Sequence, residues 1–404
     1  MGRAEAFAPG VYAGALAQLP GIGAAAIHRA VERLGGLRQA WEAPAEAWQE
    51  ASDRALSRVA LSSLRLRRRP GMLRELHRAL QALPASAVTP WDGEEACYPL
   101  NLLHVPDPPP VLYVRGSLAP EDRLAVAIVG SRQADVNGLL VAETLAAELA
   151  GRGFTIVSGL AAGIDGAAHR GAIRAGGRTI AVLGCGIDRA YPPQHRQLFE
   201  QVARCGALIS EYPPGVEPDR WRFAARNRVI AALSLAVVVV EARSTSGALS
   251  TAGLADSFSR NVLAVPGDVT RSTCRGSNQL IADGCPPCLS PEDAADSALE
   301  VLRRLEAAEQ QRPRASGGRP GRLRPRPVRR ATPEPPESPP LDGGLPAAVA
   351  SLYQALVRRP AEVEELSART GLPVNRLVAY MTELEAAGRV RRLADGRWAA
   401  RRLS

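Results

Sequence analysis

Residues 125–169 read AVAIVGSRQADVNGLLVAETLAAELAGRGFTIVSGLAAGIDGAAH. A short run of Val, Ile and Ala ends in glycine. A stretch with apolar residues at helical spacing follows, and a second apolar run ends in a glycine-rich turn. This is a strand–helix–strand unit, and outward from it the pattern repeats as TIAVLG (179–184), ALISEY (207–212), LAVVVVEA (235–242) and NVLAVPG (261–267). Continuous apolar runs, as opposed to alternating ones, mark strands buried on both faces, hence a mostly parallel sheet covered by helices. The alternation of strands with helices predicts a doubly wound α/β core.

In such a sheet, ligands bind beyond the carboxyl ends of the strands. Small residues gather there. The first strand ends Gly130-Ser131-Arg132, the second Ser158-Gly159-Leu160-Ala161-Ala162-Gly163-Ile164-Asp165, and the fifth Glu241-Ala242-Arg243-Ser244-Thr245-Ser246-Gly247. Small side chains at helix starts let an anion approach backbone N–H groups. Arg132 adds a charge able to grip a phosphate with two donors. The segment Arg220-Trp221-Arg222-Phe223-Ala224-Ala225-Arg226-Asn227-Arg228 combines four arginines with two aromatics. That mixture suits a single strand, whose backbone needs charge and whose bases need stacking surfaces. Structural readings stand beside these: Arg226 and Arg228 as internal partners of Asp165, Asp188 or Glu211, and Asp165 as a helix cap.

Composition narrows the chemistry. All 50 basic residues of the 404 are Arg, so there is no phosphate-loop lysine and no Schiff-base lysine. Gly184-Cys185-Gly186 lacks the third glycine of the dinucleotide fingerprint, and Gly159 and Gly163 have the wrong spacing. Cys285-Pro286-Pro287-Cys288 is a single pair with no second pair to complete a zinc site. The expectation is therefore no metal and no cofactor. No apolar run approaches the ~18 residues that span a bilayer. The amino terminus is unlike a secretory signal, and six cysteines fit reduced thiols, so a cytoplasmic chain with no membrane contact is expected.

The net charge of +9 is uneven. Residues 1–84 hold 12 Arg against 7 acids, and 85–309 hold 20 against 25. Residues 310–340 hold 8 against 2, and 341–404 hold 10 against 7. Basic flanks around an acidic middle point to polyanion contact at the ends, or to a genome that writes Arg everywhere. These divisions match four expected parts. The first, 1–84, is helical; Leu19-Pro20-Gly21-Ile22-Gly23 opens a helix-hairpin-helix-like turn, read either as a phosphate contact or as packing. The second, 85–309, is the α/β core. The third, 310–340, is a Pro- and Arg-rich linker too poor in apolar surface to offset its ordering entropy. The last, 341–404, reads as a winged helix, with helices in AAVASLYQALVRR, EVEELSART and NRLVAYMTELEAAG, and a two-stranded wing in VRRLADGRWAA turning at Asp395-Gly396.

The ordered set AIVGSR (127–132), VSGLAAGIDGAAH (157–169), AVLGCGIDRAYPPQH (181–195), ISEYPPG (209–215), RNRVIAALS (226–234), VVVVEARSTSGALSTA (237–252), AVPGD (264–268) and GSNQLIADG (276–284) resembles the DNA-processing protein A family, also called Smf. The resemblance implies an extended Rossmann-like core flanked by small helical domains. It implies a non-catalytic single-stranded DNA binder that protects incoming DNA and loads the RecA recombinase in natural transformation, with a homodimer as the assembly. Carried over motif by motif, the nucleic-acid contacts are Gly130, Ser131 and Arg132; Ser158, Gly159, Ala162 and Gly163; Arg226, Asn227 and Arg228; and Ser246 and Gly247. Phe223-Ala224-Ala225 departs from the family's Phe-Pro-x, and Pro193 stands where relatives often carry a basic residue. The alternative from another class is a nucleotide-processing, phosphoribohydrolase-like enzyme using the same pocket, with Asp165 or Glu241 as acid or base. A third reading is a transcriptional regulator acting through the winged helix.

Overall fold

The computed structural model describes residues 6–53, 55–66, 71–92 and 98–310 and, towards the C-terminus, 356, 366, 390–392 and 398–400. The chain divides into two compact units, 1–328 and 329–404.

The first unit opens with helices α1 (Pro9–Ala17), α2 (Ala24–Leu34), α3 (Leu37–Glu42), α4 (Ala45–Glu50), α5 (Arg58–Leu66) and α6 (Met72–Gln81). Strands β1 (Ala85–Val88) and β2 (Leu112–Gly116) lead into the alternating core. That core runs β3 (Ala125–Val129), α7 (Val136–Gly151), β4 (Thr155–Ser158), α8 (Ile164–Arg174), β5 (Thr179–Leu183), α9 (Arg196–Cys205), β6 (Ala207–Ser210), α10 (Arg220–Leu233), β7 (Ala236–Val239), α11 (Gly247–Ser257), β8 (Asn261–Ala264), α12 (Arg275–Ala282) and α13 (Pro291–Gln310).

All six strands expected from the apolar runs form, in the order β6-β5-β4-β3-β7-β8, and every neighbouring pair among them is parallel. β1 and β2 are not among the strands expected from the apolar runs. They extend the sheet antiparallel beyond β6 to make eight strands. The doubly wound layout holds, with this antiparallel extension at one edge.

Alternate residues of β3 show why both faces are apolar. Val126 and Ile128 pack with α7, α8 and α13, through Leu145, Leu149, Ala168 and Val301. Ala127 and Val129 pack on the other face with α10 and α11, through Val229, Leu233 and Ala252. A third cluster joins the N-terminal helices to the sheet: Leu16, Ile27 and Trp48 share it with Tyr113, Leu183, Phe199 and Leu208. Gly10 of α1 lies so close to β1 that a Cβ there would meet the Ala87 carbonyl oxygen at 2.1 Å. The helical segment is thus built onto the sheet. The Leu19–Gly23 turn joins α1 to α2, with Leu19 and Ile22 buried and Gly21 at φ +79.

In the second unit, β9 (Val390–Arg392) and β10 (Trp398–Ala400) pair antiparallel with Trp398 opposite Arg392, which is the expected wing. The Asp395-Gly396 turn, most of the three expected helices and nearly all of 310–340 lie outside the described residues.

Candidate nucleic-acid interface

Chain direction locates the site. From β3 the chain winds through β4, β5 and β6 to one side, then α10 carries it back across and β7 pairs with the opposite edge of β3. The loops leaving β3 and β7 therefore turn away from each other, and a crevice opens between them at the carboxyl end of the sheet. A cavity of about 890 Å³ occupies that place.

Three segments supply most of the lining, and Ala161 and Asp165 of the 158–165 turn add to it from below. Gly130, Ser131, Arg132 and Gln133 come from the end of β3. Arg243, Thr245, Ser246 and Gly247 come from the end of β7 and the start of α11. Arg220, Phe223, Arg226 and Asn227, spaced at helical intervals, come from one face of α10, and Tyr191 closes the rim. Gly130 has no room for a side chain: a Cβ would meet Ile164 Cγ1 at 2.6 Å and the Glu241 carbonyl at 2.9 Å. Ser131 Oγ accepts from Gln133 N at 3.1 Å, holding the turn that presents Arg132. Ser246 caps α11 by accepting from Ala248 N at 3.2 Å, so the helix start faces the cavity. The Asn227 amide donates to Gly247 O at 3.3 Å and ties α10 to that helix start.

The charges lining the cavity are of two kinds. Arg132, Arg220 and Arg243 are exposed, and among the described residues none of them is in a salt bridge. The Arg132 guanidinium stands 5.7 Å from the centre of the Phe223 ring, and Phe223 stacks on Tyr191 at 5.2 Å and 29°. Arg226 is 4% exposed and belongs to the floor. Its Nη1 donates to Gly159 O at 2.8 Å and to Val182 O, and it faces Asp165. Burial lowers its pKa to about 10, against the attraction of Asp165, so it stays charged at neutral pH. Asp165 in turn accepts from Gly159 N at 3.1 Å and Ala161 N at 3.4 Å, while burial pushes its carboxyl upward.

The structure brings Gly130, Ser131, Arg132, Arg226, Asn227, Ser246 and Gly247 together around one cavity, and leaves the other expected contacts outside its lining. Arg226 sits in the cavity floor with Nη1 committed to the Gly159 and Val182 carbonyls, while its Nε has no hydrogen-bond partner among the described residues. Arg228 pairs with Glu211 and donates to Asp107 O at 2.9 Å, the internal role weighed for it. The Ser158 hydroxyl is fully buried and donates to Ile128 O at 2.7 Å. Gly159 lies beneath Arg226, where a Cβ would fall within 2.5 Å of the guanidinium. Gly163 has φ +80, and a Cβ there would meet Ser131 O at 2.2 Å. Ala162 is exposed beside it but outside the cavity lining. The turn 158–165 is thus a buttress beneath the Gly-Ser-Arg turn, with Ile164 N donating to Ser131 O at 3.2 Å. Arg243 and Tyr191 line the cavity without having been singled out as contacts; neither sits in a spacing pattern that marks it.

Of the two carboxylates considered as an acid or base, Asp165 reaches the cavity lining and Glu241 does not. Glu241 is buried, accepting from Asp135 N at 3.3 Å and Thr273 Oγ1 at 3.4 Å, with the Cys274 thiol at 3.7 Å. Cys285 packs in the core on one face of the sheet and Cys288 in the core on the other, so they do not converge on one ion. Among the described residues there is no cluster of metal-ligating side chains and no helix long and apolar enough to cross a membrane.

Comparison with known proteins agrees with this architecture. Residues 89–298 match the family described as DNA recombination-mediator protein A, and residues 332–396 match the DprA winged helix domain. The chain is 36% identical over 386 residues to Protein Smf of Synechocystis, covering 93% of this chain and 95% of that one. It is 39% identical over 277 residues to a putative DNA processing protein DprA of Mycobacterium tuberculosis, covering 68% and 64%. The X-ray structure of DNA processing protein A from Streptococcus pneumoniae superposes with TM-score 0.60 at 31% identity, over 70% of this chain and 95% of that one.

Proposed function

The chain belongs to the DNA recombination-mediator protein A family, and from that premise we propose that it binds single-stranded DNA in the switch-point cavity and hands the strand to a recombinase without turnover. The observation that carries the reading is the exposed Arg132, standing over the stacked Phe223–Tyr191 pair with no carboxylate partner among the described residues. Charge beside an aromatic face is the combination a single strand requires: the guanidinium takes a phosphate oxygen and the rings take an unpaired base. Arg220, Arg243 and the amides at the start of α11 extend the positive lining. The recombinase in this reading is RecA, the setting is natural transformation in the cytoplasm, and the working assembly is a homodimer. In this reading Asp165 serves as the acceptor that holds the Gly159 and Ala161 amides, and Glu241 as the acceptor for Asp135 N and the Thr273 hydroxyl.

Titration of oligothymidylate against duplex DNA at two salt concentrations tests the proposal. The single strand binds tighter, and log affinity falls with log salt by ~0.7 for each phosphate neutralised. Arg132→Ala lowers affinity for all sequences about tenfold or more and flattens the slope by about one phosphate's share. A folded Arg132→Ala protein with unchanged affinity and slope refutes the assignment. Release of free base from nucleoside monophosphates establishes the hydrolase alternative instead.

A further inference from the structure

Beside the cavity, on the same first turn of α10, the chain displays a tryptophan. Trp221 is 57% exposed, although a side chain of its size is among the most costly to leave in water. Its neighbours in sequence, Arg220 and Phe223, line the cavity, and Trp221 does not. The ring is nevertheless held in place. The Arg222 guanidinium stands 4.9 Å from the indole centre and 5.6 Å from the Tyr212 ring. Tyr212 meets the indole edge-on at 6.1 Å and 90°. Arg222 Nη1 is anchored to Glu217 O at 2.6 Å, so the cation cannot swing away freely.

We propose that Trp221, with Arg222 and Tyr212, is a stacking platform for a base of the same DNA strand that has left the cavity across the first turn of α10. The proposal rests on the cavity holding single-stranded DNA, and names the path the strand takes beyond it. Three observations fix the occupant. The platform is continuous with the cavity along one helix turn. It carries a positive charge beside an aromatic face, which matches an unpaired base and its phosphate. Its orientation is set before binding, so little side-chain freedom is lost when a base lands on it. A duplex, whose bases are stacked on one another, offers no free face to this ring.

The test compares wild type and Trp221→Ala on oligothymidylates of roughly 4 and roughly 16 nucleotides, spanning the range of single-strand site sizes. The platform predicts about a tenfold loss on the longer strand, no change on the shorter, no change on duplex, and an unaltered melting temperature. Trp221→Phe keeps most of the longer-strand affinity. A longer strand built entirely of abasic sites binds wild type and Trp221→Ala equally, because the lost contact is to a base. Equal binding of both proteins to the long normal strand overturns the proposal. So does an equal loss on the short strand, which would place Trp221 in the shaping of the cavity. Failure of the underlying reading is separate: it shows as Arg132→Ala binding both lengths like wild type.

Discussion

The amino end of the parallel sheet and the cavity rim at its carboxyl end both collect arginines, and they use them in opposite ways. At the amino end, Arg178 grips Asp122 through two donors at 2.8 Å, and Arg123 pairs with Glu309 at 3.0 Å. There Arg260 is buried and donates to the carbonyls of Asn101 and Ala232. Thr155 Oγ1 donates to Asp122, and His169 shares a hydrogen bond of 2.7 Å with Thr179. At the cavity rim, among the described residues, Arg132 and Arg220 have no carboxylate partner, and Arg243 has only the amide oxygen of Gln133, at 3.2 Å. A charge that already has a carboxylate adds rigidity, whereas one left in water beside a cavity keeps its attraction for an incoming anion. The carboxylates within reach, not residue type, separate the two, since at the same carboxyl end Arg228 pairs with Glu211 and Arg271 with Asp135.

The sharpest attempt to break this contrast is Asp122→Ala. It strands Arg178 and removes the acceptor for Thr155, so stability falls by about 3–5 kcal/mol while oligonucleotide affinity holds. Denaturant unfolding beside a DNA titration checks both halves. A loss of binding in the folded variant would erase the distinction between the ends.

Next in size is a pH effect confined to the amino end. Burial pushes the His169 pKa down to about 3, far below the ~6.5 of an unfolded histidine. Between those values the unfolded chain binds a proton that the folded chain refuses, so stability is lost as pH falls below ~6.5. Replacing His169 with Gln removes this component of the acid sensitivity, read from denaturant midpoints at about pH 7 and about pH 5. An unchanged difference between the two midpoints argues against a buried neutral imidazole.

The smallest expected change is at the carboxyl end. Arg243→Ala leaves the melting temperature unaltered and weakens single-strand binding only a few-fold, with a shallower salt slope. A destabilised Arg243→Ala protein would show that its bond to Gln133 is structural.

The core strands were legible because burial on both faces leaves uninterrupted apolar runs such as VVVV at 237–240. β1 was not: ASAV is short and only partly buried, and its place is set by packing on α1. The cavity's rim was legible at Gly130–Arg132 and Ser246–Gly247, where small residues follow a strand. The sorting of Arg226 and Arg228 from Arg132 was not, because it depends on which carbonyls and carboxylates a fold brings within reach. Residues 226 and 228 are two positions apart on one helix, and they find Gly159 and Glu211 from distant turns. Arg243 enters the site only because β7 pairs with β3 across more than a hundred positions of chain.

That last pairing has a consequence for biosynthesis. A ribosome releases β3 to β6 well before β7, so one border of the central strand waits without its hydrogen-bonding neighbour, open to a stray strand from elsewhere. Until residues 236–247 emerge and zip against 126–129, the nascent molecule has neither a covered central strand nor the second wall of the groove, and one pairing supplies both.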